Sequence, residues 1–215
     1  MLTDYRIPPL KGGAPGHTVI FLHGVGDSGS GGLLSIGNLW QSALPDTEFL
    51  CPDAPFPFDM GPMGRQWFSL RDFDPKAMLQ GAQKAAPYLN EYIDHVLETR
   101  KLAAGKLALV GFSQGTLMAL YAAPRRPQAV AGIVGYSGVL VGGETLGREK
   151  KSAPPVLLIH GTADEVVPYA GLEPSERGLR TAGIPVTSFT CHGTGHTIDE
   201  RGLVEGLKFL QKLLV

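Results

Sequence analysis

Leu107-Ala108-Leu109-Val110-Gly111-Phe112-Ser113-Gln114-Gly115-Thr116-Leu117-Met118-Ala119-Leu120 is the stretch whose reading decides the fold. Leu107 to Val110 is an apolar run of strand length, and Thr116 to Leu120 carries a helical pattern. Only a sharp turn fits between them, and that turn has the form G-x-S-x-G. A serine on such a strand–turn–helix joint stands at the carboxyl end of its strand in strained backbone geometry. Glycines two positions to either side remove the side chains that would collide there. The helix N-terminus that follows favours negative charge beside the hydroxyl. The pentapeptide alone is a weak signal, and a tight turn that happens to hold a serine is the plain alternative. The flanking strand and helix patterns favour a catalytic Ser113.

Outward from this joint, short apolar runs alternate with helical stretches. The runs are Thr18–Leu22, Glu48–Cys51, Lys106–Val110, Ala129–Gly135, Val156–His160 and Val186–Cys191. They are continuous rather than alternating, which suits strands buried on both faces of a parallel sheet. Asp74-Pro75 reads as an N-cap and first turn, followed by an apolar stripe from Met78 to Leu97 that Pro87 is expected to kink or break. Further helices are expected from Ser113 to about Ala123, near Glu173–Ala182, and from Thr197, where Thr197-x-x-Glu200 has the form of a capping box. The implied architecture is α/β: a mostly parallel central sheet with helices on both faces and no cap domain, spanning residues 1–215 as one domain.

Composition narrows the function. The chain has 215 residues, 43% of them hydrophobic, and a formal net charge of −1. A near-neutral chain without a basic stripe lacks the electrostatic footprint of a nucleic-acid binder. No apolar run approaches the ~18 residues of a membrane span, so no stable membrane insertion is expected. The first 17 residues have no apolar core of a secretory signal. Cys51 and Cys191 read as two buried thiols in a reducing cytoplasm rather than a disulfide. No His-Glu-x-x-His or Cys-x-x-Cys spacing is present, so no metal is expected.

A serine hydroxyl needs a base. Among the six histidines, His196 is favoured, because it lies in a glycine-flanked loop after the last strand; His192 is the alternative. His23 is read as bracing its loop. The acid is expected at another strand end, and Asp164 in His160-Gly161-Thr162-Ala163-Asp164 fits, ahead of Glu165. Ser113, Asp164, His196 is the chain order of α/β-hydrolases. Two backbone N–H groups should stabilise the oxyanion. Gln114, next after the serine, and Val25, in the loop His23-Gly24-Val25-Gly26-Asp27, are the expected donors. Ser137 follows a strand without a helix behind it and reads as structural. The segment from Pro52 to Leu70, dense in Pro, Phe, Met and Gly, is long enough to suggest function. Its Trp67 and Met63 are the expected substrate contacts.

These segments, together with Pro52-Asp53-Ala54-Pro55, Trp67-Phe68 and Val167-Pro168, resemble the phospholipase/carboxylesterase family of small α/β-hydrolases, which includes bacterial carboxylesterases and acyl-protein thioesterases. The resemblance implies a cofactor-free serine esterase acting on short- to medium-chain esters or thioesters. It maps the same triad onto Ser113, Asp164 and His196 and the same second donor onto Val25. Thr116 stands where family members often carry glycine, and Ser69 follows Trp67-Phe68 where thioesterase-like members tend to carry Asp. These departures favour a carboxylesterase over a long-chain thioesterase. The expected partner is a small-molecule ester, the expected location the cytoplasm, and a homodimer is left open.

Overall fold

The structure is a computed structural model that describes residues 2–72 and 74–215. Along the chain run β1 (Asp4–Ile7), β2 (His17–Leu22), α1 (Gly32–Trp40), β3 (Thr47–Pro52), β4 (Phe56–Pro57), β5 (Arg65–Gln66), α2 (Pro75–Arg100), β6 (Leu107–Phe112), α3 (Gln114–Ala122), β7 (Gly132–Tyr136), α4 (Gly143–Glu149), β8 (Val156–Gly161), α5 (Leu172–Thr181), β9 (Val186–Cys191) and α6 (Glu200–Leu214). Seven strands form one sheet in the order β1-β3-β2-β6-β7-β8-β9. All neighbours are parallel except β1, which pairs antiparallel with β3.

Period-two alternation divides the buried residues between two cores. Ile20, Leu22, Leu109 and Leu158 face α2, α3, α4 and α5. Val19, Phe21, Val110 and Ile159 face Leu33, Ile36 and Trp40 of α1 and Leu210 and Leu214 of α6. Both faces of the strands are covered, so they read as continuous apolar runs. The expected strands all form, although β7 begins three residues later than its apolar run, at Gly132.

Two expectations change. Of the kink or break expected at Pro87, no break occurs: α2 runs unbroken through 26 residues. Pro87 and Gln83, whose carbonyl loses its partner, are both exposed, so water can serve that carbonyl. Proline inside a helix costs about 3 kcal/mol. Leu89, Tyr92, Ile93 and Val96 lie beyond it and are all buried. Each large apolar side chain contributes roughly 1.5–3 kcal/mol on burial, which outweighs the proline. Asp74 caps the start of α2 as expected, accepting from Lys76 N–H at 2.9 Å and Ala77 N–H at 3.1 Å. The second change is at α6. Its cap is Asp199, not Thr197, with Asp199 Oδ1 accepting from Gly202 N–H at 2.8 Å. Asp is as good a cap as Thr and lies next to the helix.

The strand order sets the position of the site. From β2 the chain moves outward to β3, then returns to place β6 on the other flank of β2. Ligands of open α/β sheets bind beyond the carboxyl ends of strands at such a reversal. Here those ends carry His23-Gly24-Val25 after β2 and Ser113 after β6.

Candidate active site

Ser113 has φ 52° and ψ −117°, a left-handed conformation that a side chain other than glycine adopts at a cost. Its neighbours over-determine it. Its N–H donates to Tyr136 O at 2.9 Å, and its carbonyl accepts from Thr116 N–H at 2.9 Å. A Cβ on Gly115 would lie 1.8 Å from Leu22 O, and one on Gly111 would lie 2.5 Å from Thr116 N. Only glycine fits at either position, which is the physical content of the G-x-S-x-G pattern. Thr116 also finds an explanation: its Oγ1 donates to Tyr136 O at 2.8 Å. Its Cβ and Cγ2 fill the space a side chain would need at Gly138 (2.4 Å) and Gly135 (2.6 Å).

Asp164 and His196 come together at the carboxyl edge. Nδ1 of His196 donates to Asp164 Oδ2 at 2.8 Å. Because a carboxylate oxygen only accepts, Nδ1 carries the proton and Nε2 is left as a base. The His196 ring lies 4.9 Å, centroid to centroid, from Phe112, the residue before Ser113. The other oxygen of Asp164, Oδ1, accepts from Val166 N–H at 3.0 Å and Val167 N–H at 2.8 Å. Burial pushes the Asp164 carboxyl up, but the hydrogen bonds from His196, Val167 and Val166 and the His196 charge outweigh it, holding the group below the usual carboxylate range.

The remaining histidines separate cleanly. His192 and Glu165 are exposed. His23 is buried; its Nε2 accepts from Ala54 N–H at 3.0 Å and its Nδ1 donates to Gly24 O at 2.7 Å. Both ring nitrogens are committed to bracing the loop, and burial lowers its pKa. His160 was read only as a strand end, yet its Nε2 donates to Val167 O at 2.9 Å and lies 3.3 Å from Asp164 Oδ2. The i, i+4 spacing of His160-Gly161-x-x-Asp164 carries that signal in the sequence. Ser137, the other serine at a strand end, has φ 45° and donates its N–H to Ile159 O.

The expected oxyanion donors are available. Gln114 is the first residue of α3, so its N–H has no partner within the helix. Among the described residues, neither it nor the Val25 N–H donates to another protein group. The Gln114 side chain does separate work that the sequence did not reveal. Oε1 accepts from Trp67 N–H and Nε2 donates to Phe68 O, each at 2.8 Å. Arg65 completes the attachment of this segment: it donates to Ala54 O and Pro55 O, and its backbone exchanges hydrogen bonds with Gly26 and Asp27.

Of the two expected substrate contacts, the structure corrects one. Trp67 has 0% exposure and donates Nε1–H to His23 O at 3.2 Å, so it braces the loops beneath the site and offers no surface to a ligand. An apolar indole with one polar tip is favoured in such a place. Met63 is 82% exposed, two residues before the Arg65 that pairs with the Val25 loop. Cys51 and Cys191 are free and buried; burial raises both thiols, that of Cys191 to about 12.

The chain is similar to known proteins in sequence and in fold. The Phospholipase/Carboxylesterase family profile matches residues 10–214. Acyl-protein thioesterase 1 of Schizosaccharomyces pombe is 30% identical over 207 residues, 92% of this chain and 91% of its own. Esterase YpfH of Escherichia coli is 28% identical over 193 residues, 90% of this chain and 81% of its own. Among solved structures, esterase PE8 superposes with a TM-score of 0.94 at 38% identity over 99% of both chains.

Proposed function

The chain belongs to the phospholipase/carboxylesterase family of α/β-hydrolases, and from that premise we propose that it is a serine carboxylesterase. It hydrolyses short- to medium-chain carboxylic esters through Ser113, His196 and Asp164 and a covalent acyl-enzyme. His196 Nε2 takes the hydroxyl proton as Ser113 Oγ bonds to the ester carbonyl carbon. The oxyanion is held by the Val25 and Gln114 N–H groups. Asp164 fixes the tautomer and stabilises the imidazolium. His196 returns its proton to the departing alcohol as the C–O bond breaks, and water repeats the sequence to release the acid.

The observation that carries this reading is the 2.8 Å bond from His196 to Asp164 on a ring seated against Phe112. It commits Nδ1 and leaves Nε2 free, on a ring packed against Phe112, the residue before Ser113. Ser69 after Trp67-Phe68, and the absence of a helix between β3 and α2 among the described residues, support esters of modest length. The test is labelling with a fluorophosphonate probe, followed by kinetics on p-nitrophenyl acetate to octanoate beside a palmitoyl thioester. Ser113→Ala should abolish labelling and lower kcat by roughly 10³–10⁶. Near-full activity in that variant would overturn the reading. A preference for the palmitoyl thioester would replace the carboxylesterase with a thioesterase.

A further inference from the structure

Phe112 faces two things at once. Its ring packs against His196, and it also lines an apolar groove of about 360 Å³ with Leu33, Ile36 and Leu39 of α1 and Ile198 and Leu203 near the start of α6. Thr197, the residue after His196, and Asp27, two residues after Val25, complete its rim. Leu39 is 66% exposed along this groove, an unusual amount of open surface for a leucine. The groove belongs to none of the groups that hold or activate Ser113.

The chemistry of acyl transfer orients a bound ester. Its carbonyl oxygen points to the two backbone N–H groups. Its bridging oxygen must come within hydrogen-bond reach of His196 Nε2, because that nitrogen supplies the proton as the C–O bond breaks. The alcohol half therefore leaves on the side of the histidine, and the acyl half lies away from it. The Phe112–Thr197–Ile198 surface is what the protein presents next to His196.

We propose that the groove between α1 and α6 is the subsite for the alcohol half of the ester, and that it selects uncharged, apolar alcohols of about ring size. This rests on the triad reading given above. Size supports it: a dry cavity of about 150 Å³ holds benzene, and this groove has about 360 Å³ while remaining open to solvent. Charge supports it as well. Asp27 is fixed at the rim, with Oδ1 accepting from Ser28 N–H at 2.8 Å. An anionic alcohol, such as a phosphorylated one, would meet a like charge there, whereas a neutral ring would lie mainly against Leu33, Ile36, Leu39, Phe112, Ile198 and Leu203.

The test holds the acyl half constant. Methyl, butyl, benzyl and 4-carboxybenzyl butyrate are compared by kcat/KM in the unaltered protein and in two variants. Leu39→Asp places a charge in the groove, and Ser35→Phe fills it from an exposed position on α1. Discrimination by apolar contacts runs about 10- to 200-fold. We expect benzyl butyrate to exceed methyl butyrate by at least tenfold, 4-carboxybenzyl butyrate to lose that advantage, and both variants to lower the benzyl-to-methyl ratio about tenfold. Both positions are exposed, and a thermal melt checks that each variant folds. A ratio near one in the unaltered protein, or a ratio that both folded variants leave intact, overturns the subsite. Loss of methyl butyrate turnover in Ser113→Ala tests the triad separately, so an enzyme that passes that control and shows no benzyl preference refutes the groove alone.

Discussion

Gln114→Ala separates the two roles of one residue. The backbone N–H proposed to face the oxyanion is unchanged by the substitution, whereas the side-chain bonds to Trp67 N–H and Phe68 O are lost. Gln114, Trp67 and Phe68 are all buried, so water does not replace the missing partners. A buried polar group left unpaired costs about 1–3 kcal/mol, giving roughly 2–6 kcal/mol for the two. Releasing the long side chain from its fixed rotamer returns up to about 2 kcal/mol. Taking the middle of that range, the net expectation is a loss of about 2 kcal/mol, a sizeable part of the ~5–15 kcal/mol that holds a typical domain together. At about 2–4 °C per kcal/mol for a chain of this size, the melting temperature should fall by roughly 4–8 °C. Differential scanning calorimetry measures the fall, and esterase kinetics below the transition should show a smaller effect, within about tenfold. Gln114→Met is the discriminating partner, because it restores volume without restoring either hydrogen bond. If Gln114→Met melts with the unaltered protein, the loss in the alanine variant is a cavity effect and the hydrogen-bond argument is wrong.

Three more expectations follow from the geometry. His160→Leu should lower kcat/KM by up to about tenfold, because it removes the donor to Val167 O at 2.9 Å and so loosens the turn whose Val166 and Val167 N–H groups hold Asp164, a lost hydrogen bond being worth about 0.5–1.5 kcal/mol; His160→Gln, which can keep a donor near Nε2, should restore most of it, and equal loss in both variants would count against a positioning role. Gly115→Ala should cost at least about 3 kcal/mol, roughly 6–12 °C in melting temperature, because its Cβ would lie 1.8 Å from Leu22 O; a melt within 2 °C of the parent, on a scale of about 2–4 °C per kcal/mol, would show that the turn can give. Asp164 and Asp199 both titrate below the usual range in the folded chain: burial opposes this, but bonds from His196 and backbone N–H groups at Asp164, and from Thr194, Gly202 and Arg201 at Asp199, prevail. Their contribution is therefore complete above the unfolded carboxylate pKa of about 3.9 and is lost as pH falls through the lower folded values, so the urea midpoint should lose this contribution only below about pH 4, and Asp199→Ala should shrink that loss.

Strand ends were legible in the sequence, because each follows its own apolar run, and so the places of Ser113, Asp164 and His196, the proposed triad, and of the loop carrying Val25 could be read. What was hidden depends on long-range packing or on weak local pattern. The edge strand β1 is mostly exposed and carries no apolar run. The helices α1 and α4 contain glycines and are short. The unbroken course of α2 through Pro87 is decided by burial against the sheet, which propensity does not see. Gln114 reaches partners 46 and 47 residues away, so nothing near it in the sequence announces its side-chain bonds. Trp67 was assigned by residue type to the substrate, and the fold uses it one layer below.

The interlock of Thr116 with Gly135 and Gly138 constrains the order in which such a site can change. While the threonine is present, neither glycine can acquire a side chain, since a Cβ at either would fall within 2.6 Å of Thr116 atoms. The reverse step has no such barrier: threonine can shrink to glycine first, at the expense of one hydrogen bond to Tyr136 O and a small void. The three positions therefore form a ratchet. A lineage can give Gly135 a side chain only after position 116 shrinks, and it can gain the threonine only with both glycines in place; Gly138 stays closed even then, because its Cβ would also lie 2.8 Å from Ser113 O.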